Sequence, residues 1–149
     1  MYPKGGIRYI CFMARIIAID YGKKRTGLAW TDPLQIIATG LETIATPDLT
    51  THLQELVAQE PVEGFVLGLP TRMDGSDSHV TEDVRKLGKR LEKLFPDKYV
   101  EWMDERFTSK MAAQEKVRIG MKKKQRREKG QIDRMSAIII LQEFLQSQH

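Results

Sequence analysis

Three acidic residues at the ends of short apolar segments are the positions in this chain best suited to chemistry. Asp20 ends an apolar run, Glu105 follows a second strand-like segment, and Asp133 opens the last helical pattern. Carboxylates in such places are costly to remove from water unless they are paired, hydrogen-bonded or bound to a metal ion. Because hard divalent cations prefer oxygen ligands, these residues would form a metal site if the fold brings them together.

Each of these acids also has a simpler structural explanation. Asp20 could cap the turn that follows its strand, and Asp133 could complement the dipole at the start of a helix. Asp104 competes with Glu105, because strand alternation sends neighbouring side chains to opposite faces and only one can point into the site. Arg106 either contacts a phosphate or pairs with Asp104, and the sequence does not separate the two.

Basic residues are concentrated in one segment of the chain. Residues 110–134 hold ten lysines and arginines against three acidic residues, whereas the whole chain carries a formal charge of +4. Such a block is typical of a phosphate-binding surface, although a solvated helix face or loop would explain the basic run alone equally well. The residues that we predict to contact a nucleic-acid backbone are Lys122, Lys123, Lys124, Arg126 and Arg127 in this segment, with Lys23, Lys24 and Arg25 in the turn after Asp20.

Length and composition limit the class of protein. The 149 residues fit one domain with a core of its own, which we place at 13–149, after a loosely ordered extension at 1–12. The single cysteine excludes an intrachain disulfide, and no Cys/His spacing resembles a zinc site. No run approaches the roughly 18 apolar residues of a membrane span. We therefore expect a cytoplasmic protein.

Apolar periodicity predicts the elements that must position the acids. Short β-branched runs indicate strands, and apolar residues spaced by three and four indicate helices. The first three strands have connections too short for crossovers, so they should be antiparallel, while helices join the later strands in parallel. The result is an α/β fold with a mixed five-stranded sheet and helices on both faces. Strands are predicted at 14–20, 28–31, 36–43, 62–69 and 99–103, and helices at 47–59, 80–94, 109–117 and 131–146.

Four short motifs fall in the order of a known family. They are 19–29 (IDYGKKRTGLA), 68–70 with 73–75 (GLP and MDG), 104–109 (DERFTS) and 133–141 (DRMSAIIIL). With these segments in register, the chain resembles the YqgF/RuvX family, described as pre-16S rRNA nucleases and as Holliday junction resolvases. The likeness runs from about residue 13 to the end of the sequence. Ser136 and Thr71-Arg72 depart from the family's usual alanine and asparagine.

The resemblance implies a ribonuclease H-like fold and a metal-dependent nuclease. Asp20 matches the first-strand acid of the family, Glu105 the acid of the Asp-Glu-Arg motif, and Asp133 the acid that opens the last helix. These three would be the catalytic residues and the ligands of a two-metal site that holds Mg²⁺ or Mn²⁺. The expected partner is structured RNA or branched DNA, with no membrane association, and the protein would be a monomer or a weak homodimer.

Several functions stay open at this point. Processing of the 5′ end of pre-16S rRNA is the main reading, with junction resolution on branched DNA as the alternative. A nucleic-acid-binding factor with the same fold and little catalysis is a third. A sugar-kinase or actin-like ATPase shares an Asp-x-Gly strand end, but it would need two such domains around a nucleotide, and 149 residues supply one.

Overall fold

The computed structural model of the chain describes residues 13–69, 80–104 and 129–148, and for 129–134 it describes the backbone alone. A 3-10 turn at Thr46–Asp48 leads directly into the first helix. The strands are β1 (Arg15–Asp20), β2 (Arg25–Thr31), β3 (Ala38–Ala45), β4 (Val62–Leu69) and β5 (Tyr99–Asp104), and the helices are α1 (Leu49–Gln59), α2 (Thr81–Leu94) and α3 (Lys129–Ser147).

The strands form one mixed sheet in the order β3-β2-β1-β4-β5. β2 pairs antiparallel with both β1 and β3, whereas β4 pairs parallel with both β1 and β5. The short connections between the first three strands allow only antiparallel neighbours, and α1 and α2 supply the crossovers that parallel strands need. The predicted α/β class and five-stranded mixed sheet are confirmed.

One face of the sheet packs against α1 and α2. Alternate residues of the central strands, among them Ile17, Ile19 and Phe65, are fully buried there. From α2 the stripe Val84, Leu87, Leu91 meets them at helical spacing, as its periodicity predicts. From α1, Leu49 and Leu53 complete the cluster.

The opposite face packs against α3, the one described helix on that side. The other alternate residues of the strands, including Ile16, Ala18 and Val66, form a second buried cluster with this helix. The α3 residues in the cluster follow the i, i+3, i+4 pattern of one helix face and are Ala137, Ile140, Leu141, Phe144 and Leu145. β1 is thus covered on both faces and flanked by a strand on each side.

Two glycines allow aromatic rings to lie directly on the backbone. Gly64 of β4 pairs with Tyr99 of β5, and an added Cβ would lie 2.5 Å from two atoms of the tyrosine ring. Gly88, in the middle of α2, receives the ring of Trp102 in the same way. Trp102 is nevertheless 37% exposed, because it lies on the outermost strand of the described sheet.

The main differences from the predicted boundaries lie around the β2–β3 hairpin. β2 begins at Arg25, before its apolar residues, because Arg25, Thr26 and Gly27 already pair with β3. β3 begins at Ala38 and not at 36, because the Asp32 carboxylate accepts hydrogen bonds from the amides of residues 36 and 37 and holds them in a loop. Hydrogen bonds from backbone amides to a side chain leave no periodic pattern in the sequence, so this loop could not be predicted from apolar spacing.

Some predicted features fall outside the residues that the structure describes. These are the extension at 1–12, the helix at 109–117 and the basic segment up to residue 128. No helix in the described part of the chain is long and apolar enough to cross a membrane.

Candidate active site

The candidate site lies at the edge of the sheet where β1, β4 and β5 end. Because these strands are parallel, their carboxyl ends meet at one edge, which is where α/β sheets bind ligands. Ile19 of β1 pairs with Leu67 of β4, and Leu67 pairs with Trp102 of β5. Asp20 therefore lies one residue beyond this row of paired residues, and Asp104 lies two residues beyond it. The fold therefore brings the ends of the first and last strands to the same edge.

Asp20 belongs to the face of the sheet that α3 covers. Ile16 and Ala18 are buried against α3, while Ile17 and Ile19 are buried against α1 and α2. Strand alternation then assigns Asp20 to the α3 face. It is only partly buried, in contrast to the four residues before it. The last residue of β1 thus presents a carboxylate at the rim of the buried apolar core.

Asp133 lies in the first turns of α3, and only its backbone is described. Ala137, four residues later, is fully buried in the cluster between α3 and the sheet. Residues four apart lie on the same side of a helix. Position 133 is therefore placed on the sheet-facing side of α3, one turn before its buried stripe begins.

The packing of β5 shows on which face of the sheet Asp104 lies. Tyr99 and Met103 of β5 pack into the α3-side cluster, and Val100 packs into the cluster on the other side. By alternation, Asp104 belongs with Val100, on the face opposite to that of Asp20. Asp104 is exposed, and Glu105 lies outside the described residues. The structure does not bring Asp104 onto the same face as Asp20.

The turn after Asp20 is tied to the start of α1. The Thr46 hydroxyl donates a 2.6 Å hydrogen bond to the carbonyl of Gly22, and the Thr46 amide donates to the carbonyl of Lys24 at 3.0 Å. The hydroxyls of Thr26 and Thr46 are 2.9 Å apart. At Gly22 a Cβ would collide with the carbonyl oxygen of Arg25, so the turn requires glycine. These contacts fix the backbone directly after the candidate carboxylate.

The predicted phosphate-contacting residues divide into two groups. Lys23, Lys24 and Arg25 are exposed and lie in this turn or at the start of β2, within five residues of Asp20. Those predicted further along the chain lie outside the described residues and are Arg106, Lys122, Lys123, Lys124, Arg126 and Arg127. Their role stays a prediction.

Sequence reasoning missed two basic residues near this edge. Lys86 and Arg90 of α2 line a pocket with Tyr21 and Lys23 of the turn. Their spacing of four residues, beside the apolar stripe of α2, was the available signal. This signal was not distinctive, because α2 carries other basic residues, such as Lys89, that do not line the pocket.

The described residues contain no group of three or more His, Cys, Asp or Glu side chains that could hold a metal ion. Of the three predicted ligands, only Asp20 has a described side chain. Its carboxylate supplies the hard oxygen donors that Mg²⁺ and Mn²⁺ accept, and it lies at the end of a strand. Among the predicted ligands, Asp20 is thus the one whose described side chain suits a divalent metal ion.

Comparison with known proteins gives one consistent result. Residues 14–147 match the model of the family described as "RuvX: Holliday junction resolvase". The chain is 49% identical over 133 residues to the "Putative pre-16S rRNA nuclease" of Porphyromonas gingivalis, covering 89% of this chain and 96% of that protein. Proteins of the same description in Bacteroides thetaiotaomicron and Flavobacterium psychrophilum are 46% and 47% identical, covering 98% and 97% of their lengths. The resemblance drawn from the four motifs is confirmed.

Proposed function

The chain belongs to the RuvX family of Holliday junction resolvases, and we propose that it is a metal-dependent nuclease that trims the 5′ end of pre-16S rRNA. The relatives that it matches over nearly their whole length carry the pre-16S rRNA nuclease description. We place this activity in the cytoplasm, with the protein acting as a monomer or weak homodimer.

The observation that carries the proposal is the convergence of β1 and α3. Asp20 ends the central strand on the α3 face, and position 133 lies on the sheet-facing side of α3. Asp104 belongs to the other face, so we retain Glu105, the acid of the Asp-Glu-Arg motif, as the third acid of the proposed site. Three carboxylates on one side of one sheet edge would hold two Mg²⁺ or Mn²⁺ ions.

The chain's own residues have distinct parts in this reaction. Asp20, Glu105 and Asp133 would hold the divalent ions, which would supply an activated water and charge stabilisation at the leaving oxygen of the phosphodiester. Asp20 is held in place because its strand is hydrogen-bonded on both sides, which keeps the donor oxygens preorganised. Lys23, Lys24 and Arg25 hold the charged backbone of the substrate near this edge, a contact that gives affinity without sequence choice.

Junction resolution on branched DNA is the second candidate. The description of the family that the chain matches names a Holliday junction as substrate, whereas the similar proteins are named for RNA. Backbone phosphates are common to both substrates, so the described basic turn does not separate them.

The test is cleavage of two substrates, a pre-16S rRNA 5′ fragment and a four-way DNA junction, with Mg²⁺, Mn²⁺ or EDTA. We compare wild type with Asp20→Asn and, as a matched control, Asp104→Asn, which makes the same change on the other face. We expect metal-dependent cleavage that falls at least about 100-fold in Asp20→Asn, since losing even a supporting partner of a metal ligand costs 10–100-fold. Asp104→Asn should stay close to wild type.

Three results would change the proposal. Equal losses of cleavage in Asp20→Asn and Asp104→Asn would contradict the assignment of these two residues to opposite faces of the sheet. Preferential cleavage of the junction would favour DNA as the substrate. If wild type binds both nucleic acids and cuts neither with any metal, the protein is a binding factor with this fold.

A further inference from the structure

A pocket of about 400 Å³ opens beside the candidate site, on the other face of β1. Tyr21, directly after Asp20, packs with the cluster on the α1 and α2 side and lines this pocket. Lys23 from the turn, Thr50 from α1, and Lys86 and Arg90 from α2 line it as well. Three separate elements therefore contribute polar groups to one concave surface.

The pocket has an excess of positive charge. Lys23, Lys86 and Arg90 line it against a single carboxylate, that of Asp83. Within the described part of the chain, none of these three cations forms an ion pair with a carboxylate. Cations around a cavity without close counter-charges favour an anionic ligand.

Neutral donors lie among these cations. Tyr21 carries a phenolic hydroxyl that can donate a hydrogen bond to a ligand in the pocket. The start of α1 has no side-chain capping hydrogen bond, and Thr50 in its first turn adds another hydroxyl. Charged and neutral donors together suit the several oxygens of a phosphate group.

We propose that this pocket binds a backbone phosphate of the nucleic-acid strand whose scissile phosphate lies at Asp20, a proposal that rests on the proposed nuclease function. Asp20 and Tyr21 are consecutive residues, so the candidate site and the pocket meet at one strand end on opposite faces of the sheet. A strand that crosses this edge passes from one to the other. The pocket would set the register of the strand relative to the cleavage position without reading its bases.

The first test compares Lys86→Ala/Arg90→Ala with Lys89→Ala/Lys93→Ala. Both pairs remove two exposed charges from α2, but only the first pair lines the pocket. Binding of a fluorescent RNA hairpin is measured by anisotropy in EDTA over a range of KCl concentrations. We expect the pocket pair to weaken binding at least about tenfold and to reduce the salt slope by about 1, the change expected for one lost phosphate contact. The control pair should change both quantities much less.

The second test identifies the source of the phosphate. Amide chemical shifts of the wild-type protein are followed with a five-nucleotide RNA and, separately, with inorganic phosphate at equal concentration. Shifts at Tyr21, Thr50 and Lys86 that are larger with the RNA support the proposal. Shifts of equal size with both ligands would make the pocket a small-anion site and overturn it, as would the absence of shifts with either.

Failure of this proposal is distinguishable from failure of the nuclease function. If the enzyme cleaves and the two variant pairs bind RNA alike, the pocket is not part of the substrate path and the nuclease stands. If the pocket pair alone loses affinity while wild type never cleaves, the pocket stands as a binding site and catalysis fails. A wild-type protein that binds no RNA would overturn the pocket as well.

Discussion

At the scale of single residues, the role of an aspartate carboxylate depends on the groups that surround it. Asp20 ends a buried strand at the rim of the core, whereas Asp104 ends an edge strand and is exposed. Asp32 differs from both, because its two oxygens accept hydrogen bonds from the amides of Leu34, Ile36 and Ile37, at 2.7–3.2 Å. Those bonds organise the β2–β3 loop. Three similar side chains thus serve as candidate ligand, surface group and loop organiser.

The pKa of Asp32 gives a pH-dependent prediction. The hydrogen bond from the Ile37 amide is the largest effect on this pKa, and together these amide bonds lower it. A lowered folded-state pKa contributes stability above the unfolded-state pKa, and that contribution is lost as the pH falls through the folded-state pKa. Asp32→Ala should therefore destabilise the protein at pH 7, and the difference from wild type should shrink towards pH 3. Urea unfolding at several pH values measures it.

The matched control for this prediction is Asp97→Ala. Asp97 is also exposed, and in the described structure its carboxylate forms a 3.4 Å ion pair with the neighbouring Lys98. Its effect on the free energy of unfolding should be small at every pH, since exposed pairs contribute little. An Asp32→Ala effect that stayed constant from pH 7 to pH 3 would contradict the proposed role of the charged carboxylate.

At the scale of elements, the packing of β5 beside β4 depends on Gly64, because the ring of Tyr99 lies directly on it. The Tyr99 hydroxyl donates a 2.9 Å hydrogen bond to Glu63, and the ring lies 6.3 Å from that of Phe144, so it has little freedom to move off Gly64. Gly64→Ala should therefore cost about 1–3 kcal/mol in the free energy of unfolding, the usual range for overpacking. Chemical denaturation measures this cost.

A double-mutant cycle separates this clash from a general intolerance of the strand. In a Tyr99→Ala background the added methyl group meets no ring, so Gly64→Ala should cost much less there. Equal costs in the two backgrounds would show that the ring is not the cause.

Much of this element-level structure was predictable, because it rests on periodicity and connection length. Strand β4 begins and ends where its sequence predicts. The apolar stripe predicted for α2 runs from Val80 to Leu94, and its middle members Val84, Leu87 and Leu91 are buried, whereas Leu94 is 40% exposed. The loop around Asp32 was not predictable, since it depends on hydrogen bonds between one side chain and distant amides. The faces of Asp20 and Asp104 became clear only with the packing of both sides of the sheet. The pocket at Lys86 and Arg90 required three elements to be placed in space.

At the scale of the whole molecule, two buried clusters share one sheet. Leu91 is fully buried on the α2 side and Leu141 on the α3 side. Because β1 and β4 belong to both clusters, loss of either one should unfold the entire sheet. Leu91→Ala and Leu141→Ala should each cost about 2–5 kcal/mol and leave a single transition.

Circular dichroism and tryptophan fluorescence, recorded on the same urea series, check this. The two signals should coincide in wild type and in both variants, whereas Gln142→Ala, an exposed change on α3, should hardly shift the midpoint. Separate transitions in the Leu141→Ala protein would show that α3 detaches independently and that the two clusters are not coupled.

The position of α3 in the chain also bears on how the protein is made. Among the described elements, the strand that carries Asp20 is synthesised first, and the helix that covers this strand's second face is synthesised last. Until residues 137–145 leave the ribosome, Ile16, Ala18 and Val66 lack the helix that buries them in the described structure. A nascent or prematurely terminated chain would thus expose apolar surface, inviting chaperones and proteases. It would also lack Asp133, which we propose as a ligand of the carboxylate site. On this proposal, nuclease activity would arise only after α3 has been synthesised and has packed on the sheet.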